Sequence, residues 1–223
     1  MRQIKLTPRL QTIAGFIEEG ASVADIGTDH GYLPVYLAQH RKARRIIASD
    51  MSAGSLGAAR RSAEKYGVSD KIEFVVAPGL TGIGGTGGHS GTGVPDGTGG
   101  HSVTGRTGGT GGTGGTGVND GTGGHSGNSR TGRTDVTGVT GVTGVTDVTD
   151  VDTIVIAGVG GETIIGILEE APWARKGKKL ILQPQTKKDE LLRYLNEAGI
   201  KVLETALAHD RGREYTVILC SSS

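Results

Sequence analysis

Apolar positions in the first third of the chain switch repeatedly between two periods. Leu10, Ile13, Ala14 and Ile17 recur at helical spacing behind Thr7-Pro8, a hydroxyl cap followed by proline at the first helical position. The run Ser22–Ile26 predicts a buried strand, Leu33–Gln39 a short helix and Arg45–Ser49 a second strand. Ser52–Tyr66 predicts a helix stopped by Gly67, and Ile72–Ala77 a third strand. The alternation resumes at Thr153–Ala157 with a strand and a helix reaching Glu169. Strand Leu180–Gln183 and helix Lys187–Ala198, ended by Gly199, follow. Two last strands, Lys201–Ala208 and Glu214–Leu219, are separated only by the charged stretch His209–Arg213. So short a link cannot carry a crossover, so these two strands should pair antiparallel. The pattern predicts an α/β fold: a Rossmann-like, mostly parallel, doubly wound sheet ending in an antiparallel hairpin.

Composition breaks this pattern in the middle. Between Gly84 and Asp150 lie GTGGTGGTG and VTGVTGVTDVTD, with a three-residue period and almost no large apolar side chains. Such a segment buries too little surface to offset its ordering entropy, so residues 84–150 are expected to be a disordered, low-complexity Gly/Thr-rich insert. Glycine at every third position also fits collagen, but collagen needs abundant proline and the chain has 6. Residues 1–83 and 151–220 then form one discontinuous domain, because loop closure costs grow only logarithmically with loop length. The block holds most of the 41 glycines and explains why only 35% of residues are hydrophobic.

Charge and cysteine content narrow the setting. A net charge of +1 argues against a surface coated for nucleic acid, while leaving room for a local basic face. The single cysteine, Cys220, cannot form an internal disulfide, which favours a reducing compartment. MRQIKLTPRL lacks the apolar core of a signal peptide, and no apolar run reaches the ~18 residues of a membrane span. A cytoplasmic protein with no membrane partner is expected. His89, His101 and His125 are too loosely spaced within the insert for a metal site, so no metal is expected.

The candidate chemistry sits at VADIGTDHGYLP, where the first core strand ends. Gly27 would turn the backbone sharply, Asp29 and His30 would project from the loop, and Gly31 would start the next helix. About 25 residues beyond Asp25 comes Asp50, placed to accept hydrogen bonds from both hydroxyls of a ribose, with Met51 beside it to pack on an adenine. The glycine spacing at Gly27–Gly31 does not match G-x-G-x-x-G, and GVGGET at Gly158–Thr163 matches only half of it after a late strand. Acidic Asp25 and Asp29 would repel a pyrophosphate, which makes a dinucleotide-dependent dehydrogenase a poor fit. They suit a ligand with positive centres, such as the sulfonium and ammonium of S-adenosyl-L-methionine. Plainer roles stand beside these. Asp25 and Asp50 could bond their own turns, His30 could be structural, and Gly158, Gly160 and Gly161 could permit close packing. Arg41, Lys42, Arg44 and Arg45 could touch phosphates or form a solvated loop.

ADIGTDHGYLP, IAGVGG at Ile156–Gly161, LILQP at Leu180–Pro184 and REYTVIL together resemble the bacterial tRNA adenine-22 N1-methyltransferase family. LTPRLQTIA also fits that family's opening helix, and the resemblance covers about residues 3–83 and 151–219. It implies a class I methyltransferase fold, S-adenosyl-L-methionine as cofactor and tRNA as partner. By the same resemblance, Asp25, Gly27, Thr28, Asp29, His30, Gly31, Tyr32 and Leu33 would hold the amino-acid part of the cofactor, and Asp50 and Met51 the nucleoside. Gly79 and Leu80 would border the adenine, and Ala157, Gly158 and Gly160 would lie beside the methyl group and target base. Adenine N1 carries an in-plane lone pair, so the protein mainly needs to orient the reactants, worth about 7–11 kcal/mol of barrier. The methylated base is cationic, which makes Asp29 the first and His30 the second candidate for charge stabilisation. The family has Gly-Asp-Gly-Leu where this chain has Ala77-Pro78-Gly79-Leu80, and it continues into a C-terminal helical extension where this chain ends in SSS. The alternative expectation is therefore a catalytically impaired or inactive remnant of the same fold.

Overall fold

Six consecutive buried residues make Ala21–Ile26 (β1) an interior strand of the sheet. The computed structural model describes residues 2–81, 83 and 151–222, all within one compact unit. The expectations for residues 84–150, including His89, His101 and His125, lie outside the described residues. Helix α1 (Pro8–Phe16) precedes β1, and α2 (Tyr32–Gln39), β2 (Ala43–Asp50), α3 (Ala53–Lys65) and β3 (Glu73–Val76) follow it. Then come β4 (Thr153–Val159), α4 (Gly161–Glu170), β5 (Lys179–Pro184), α5 (Lys188–Glu197), β6 (Lys201–Asp210) and β7 (Arg213–Ser221). The seven strands lie in the order β3-β2-β1-β4-β5-β7-β6, parallel through β5 and antiparallel thereafter.

The period-2 alternation of a strand sends neighbouring residues to opposite faces, and both faces here are covered. Val23, Ile46, Ala48, Val155 and Ile181 pack with Ile13 and Ile17 at α1, Leu37 of α2 and Ala59 of α3. Ala24, Ile47, Ile154, Ile156, Leu180 and Leu182 pack on the other face with Ile164 and Leu168 of α4 and Leu191 and Leu195 of α5. The division follows from connection handedness. The chain travels one way from β1 to β3 and the other way from β4 to β5, so right-handed crossovers put α4 and α5 on the opposite face.

The fold closes across the insertion through residues on both sides of it. Ile83 and Val151 are fully buried in the same core cluster. Asp152 accepts the Ser22 backbone N–H at 3.1 and 3.0 Å, which sets β4 beside β1. Cys220 is fully buried, and burial pushes its thiol up to about 12, so it serves as an unreactive core side chain.

Most predicted elements are present with shifted ends. Strand β2 begins two residues before the predicted Arg45, and β3 covers four residues of the predicted six. The link between β6 and β7 is shorter than the charged stretch suggested. Arg211 and Gly212 alone form the turn, with φ of 50° and 75°, the left-handed pair of a two-residue hairpin that matches strand twist. The basic residues Arg41, Lys42, Arg44 and Arg45 lie at the amino end of β2, where Arg45 Nε pairs with Glu73 at 2.7 Å and Arg44 with Asp152 at 3.5 Å. That is the end of the sheet opposite the carboxyl tips.

Two glycines bracket the loop after β1 for different reasons. Gly27 has φ 73°, and a Cβ placed on it would meet nothing within 4 Å, so only its backbone angle demands glycine. Gly31 has φ 68°, and a Cβ there would stand 2.8 Å from Ala59 Cβ on α3. Gly27→Ala should cost about 1 kcal/mol. Gly31→Ala should cost about 3 kcal/mol, as overpacking adds to the backbone strain. Urea unfolding midpoints of the two variants test the difference, and equal losses would contradict it.

Candidate active site

Strand order reverses between β1 and β4, and the carboxyl ends of those two strands are where a sheet of this topology forms its ligand crevice. The residues singled out at the end of β1 are drawn there by a set of backbone bonds to β2. Gly27 N–H and Thr28 N–H both donate to the Ser49 carbonyl, at 2.8 and 2.9 Å. One oxygen of Asp50 accepts the Asp29 N–H at 3.1 Å, and the other accepts the Ser52 N–H at 2.8 Å. Asp29 takes a left-handed backbone, φ 51°, unusual for a residue with a side chain. The turn-bonding role open to Asp50 is thus real. Each carboxylate oxygen keeps further acceptor capacity beside its single N–H bond, so turn bonding and ligand contact are compatible.

Asp25 is buried, 6% exposed, at the end of β1. Its Oδ2 accepts the Thr28 hydroxyl at 2.8 Å. Burial pushes the carboxyl up to about 6 from an ordinary 3.8; the Thr28 hydrogen bond opposes this, nearby Asp50 adds to it and Arg9 opposes it. Asp29 and His30 stay exposed, at 69% and 54% of their side chains, with Asp29 Oδ2 2.9 Å from His30 Nδ1. The His30 ring lies 5.5 Å from that of Tyr32, which is 43% exposed. Met51 is 76% exposed beside Asp50, an apolar side chain left open at the rim.

Leu33 and Leu80 sit differently. They are 2% and 1% exposed and belong to the two cores, so they shape the loops from behind. Gly79 packs close to α4, where a Cβ would stand 3.1 Å from Ile167 Cγ1. Pro78 is exposed in the turn after β3, and the preceding Ala77 N–H donates to the Asp50 carbonyl at 3.1 Å. The position that lacks a carboxylate therefore borders Asp50.

The far wall is the tip of β4, Ala157–Gly161, laced to the tip of β5. Gln185 N–H donates to the Val159 carbonyl at 2.8 Å and Gly161 N–H to the Thr186 carbonyl at 2.9 Å. A Cβ on Gly161 would stand 2.4 Å from the Lys187 carbonyl oxygen, and one on Gly160 3.2 Å from Thr186 Oγ1. Close packing thus accounts for both glycines. Gly158 is exposed, and a Cβ there would stand 3.1 Å from Arg9 Nη1. Nothing in the local sequence marks Arg9, because a lone arginine in an amphipathic helix carries no pattern of its own. Among the described residues, no group of three or more His, Cys, Asp or Glu is arranged to hold a metal ion, and no helix is long and apolar enough to cross a membrane.

A doubly wound sheet with a reversed hairpin at its end and an acidic crevice at its switch point defines a Rossmann-like enzyme fold. The chain belongs to the methyltransferase domain family, which matches residues 6–104 and 128–218. It is 42% identical over 80 residues to a tRNA (adenine(22)-N(1))-methyltransferase of Bacillus subtilis, a match spanning 36% of this chain and 34% of that protein. The crystal structure of the B. subtilis m1A22 tRNA methyltransferase TrmK has the same fold, with a TM-score of 0.66 at 24% identity over 99% of this chain and 68% of that one. A Streptococcus pneumoniae protein solved in complex with S-adenosyl-L-methionine shares it too, with a TM-score of 0.66 at 23% identity over 98% of this chain and 74% of that one.

The buried Asp25 carboxyl makes stability depend on pH. Between pH 3.8 and about 6 the folded state binds more protons at this site than the unfolded chain. Stability contributed by protonated Asp25 is therefore lost as pH rises through that window and stays lost above it. The total is on the order of 3 kcal/mol, from about 1.36 kcal/mol per pH unit. Asp25→Asn should remove this dependence and be the more stable protein at pH ~7.5, with the gap closing towards pH ~4. Urea unfolding of both proteins across that range reads it.

Proposed function

We propose that this chain transfers a methyl group from S-adenosyl-L-methionine to N1 of an adenine in tRNA, at position 22 by similarity to the B. subtilis relative. The single observation that carries the proposal is the cluster of Asp25, Asp29 and Asp50 at the carboxyl ends of β1 and β2, beside the β1/β4 switch point. The residues fit the cofactor. Asp25 is a buried carboxyl with no cation of its own in hydrogen-bond contact among the described residues, so a positive ligand group would relieve its burial. Asp50 offers spare acceptor capacity for ribose hydroxyls, and exposed Met51 offers an apolar cover for a base.

When bound, S-adenosyl-L-methionine supplies an electrophilic methyl on its sulfonium. The chain's own residues do the rest. Asp50 ties the loop after β1 to β2 and so fixes the floor of the crevice. Asp29, held by its own backbone bond to Asp50, projects a carboxylate that stabilises positive charge on the methylated adenine, and the His30 imidazole beside it orients that carboxylate. A tRNA substrate goes with the cytoplasmic setting that we propose for the chain.

A second reading is favoured by Pro78. It stands beside Asp50 where the related enzymes' pattern has a carboxylate, so adenine binding would be weaker and the domain catalytically impaired. Methyl transfer to unmodified tRNA, followed by detection of N1-methyladenosine, decides between the two. The proposal expects transfer by the full chain and by a chain lacking residues 84–150, with Asp29→Ala slower by roughly a hundredfold. Cofactor binding without transfer would establish the impaired domain. Full activity and affinity in Asp29→Ala would remove Asp29 from its role.

A further inference from the structure

Arg9 is carried by the first turn of α1, yet its guanidinium reaches the tips of several strands. Nη1 donates to Gln183 Oε1 at 2.7 Å. Gln183 is fully buried at the end of β5, and its amide nitrogen donates to the Pro184 carbonyl at 2.8 Å, which fixes the face its oxygen turns to Arg9. The guanidinium carbon lies 5.6 Å from the centroid of the Tyr215 ring on β7. The same group occupies the space beside Gly158, at 3.1 Å from where a Cβ would be. It is near enough to Asp25 to favour that carboxyl's ionised form.

A guanidinium has five N–H donors in a planar fork, and Gln183 takes one. Among the described residues no carboxylate forms an ion pair with Arg9. The end of β1 and the tip of β4 thus present a buried carboxyl, Asp25, and a cation clamped by Gln183 and Tyr215. Opposite charges held close together at the strand ends match the ammonium and carboxylate of an α-amino acid.

We propose that Arg9 binds the carboxylate of the cofactor's amino-acid end, with Asp25 and the Gly27 loop on the ammonium side. This rests on the S-adenosyl-L-methionine reading above. Gln183 holds the guanidinium at its edge and Tyr215 supports its face, so the fork is oriented before ligand arrives. The clamp gives α1, which lies outside the β1–β4 unit, a role at the strand ends, while Gly158 answers first to its own left-handed backbone, φ 82°.

Calorimetric titration of the full chain with three ligands tests the assignment: S-adenosyl-L-methionine, its decarboxylated analogue, and 5′-methylthioadenosine, which lacks the amino-acid end. The wild-type chain should bind S-adenosyl-L-methionine about 10- to 100-fold more tightly than the decarboxylated analogue, the worth of a charge-assisted hydrogen bond. Arg9→Gln should abolish that preference while leaving 5′-methylthioadenosine affinity unchanged, which also shows that the site is folded. Arg9→Lys should restore part of the preference. If Arg9 only ties α1 to the sheet, Arg9→Gln will lower the unfolding midpoint and keep the preference, and that result overturns the proposal. Equal binding of the first two ligands by the wild type overturns the Arg9 assignment alone. Failure of the wild type to bind any of the three overturns the cofactor reading as well.

Discussion

The site depends on the Asp50 carboxylate bridging two loops. One oxygen holds the Asp29 N–H and the other the Ser52 N–H, and the Ser49 carbonyl just before it takes the N–H groups of Gly27 and Thr28. These bonds pull the end of β1 over the end of β2 and hold Asp29 in a left-handed backbone. Without a charged acceptor at that point the loop would have two unpaired backbone donors and no reason to keep its shape. The exposure of Asp29 and His30, the position of Met51 and the open floor of the crevice all follow from that anchor.

The same arrangement sets stability against binding. Asp25 is buried near Asp50, and its burial opposes ionisation. A fold selected for stability alone would carry a neutral residue there. A buried carboxyl whose net shift is still upward despite nearby Arg9 is poised to be relieved by a cationic ligand group. Gly31 and Gly161 express a related economy, since each permits a backbone approach that any side chain would block, and each approach shapes one wall of the crevice.

The order of elements and the location of the crevice were legible from local pattern. Buried strands read as continuous apolar runs, Thr7-Pro8 and Ser52 mark helix starts, and Gly67 and Gly199 mark helix stops. Asp25 and Asp50 stand out in the sequence as acidic residues at the ends of apolar strands, and the turn bonds open to both are present. Leu33 and Leu80 show the limit of motif reasoning: they stand in the first turn of α2 and the turn after β3, next to site residues, yet both are buried in the cores. The hairpin turn is shorter than its charge pattern suggests because Arg213 and His209 look like loop residues, while edge strand β6 and the end of β7 that pairs with β6 alone tolerate charge.

By itself the sequence determined the period of each segment, and with it a parallel sheet covered on both faces and interrupted by a glycine-rich block. It also determined the acidic character of the loop after β1, since that depends only on which residues stand there. Only the tertiary structure decided that Arg9 comes near Asp25, Gly158, Gln183 and Tyr215, that Gly160 and Gly161 answer to packing, and that the Arg41–Arg45 cluster faces away from the crevice. The physical reason is range. Hydrophobic periodicity is local and survives in any window of the chain, whereas a contact between α1 and β5 spans 174 residues and exists only once the sheet has brought its strand ends together.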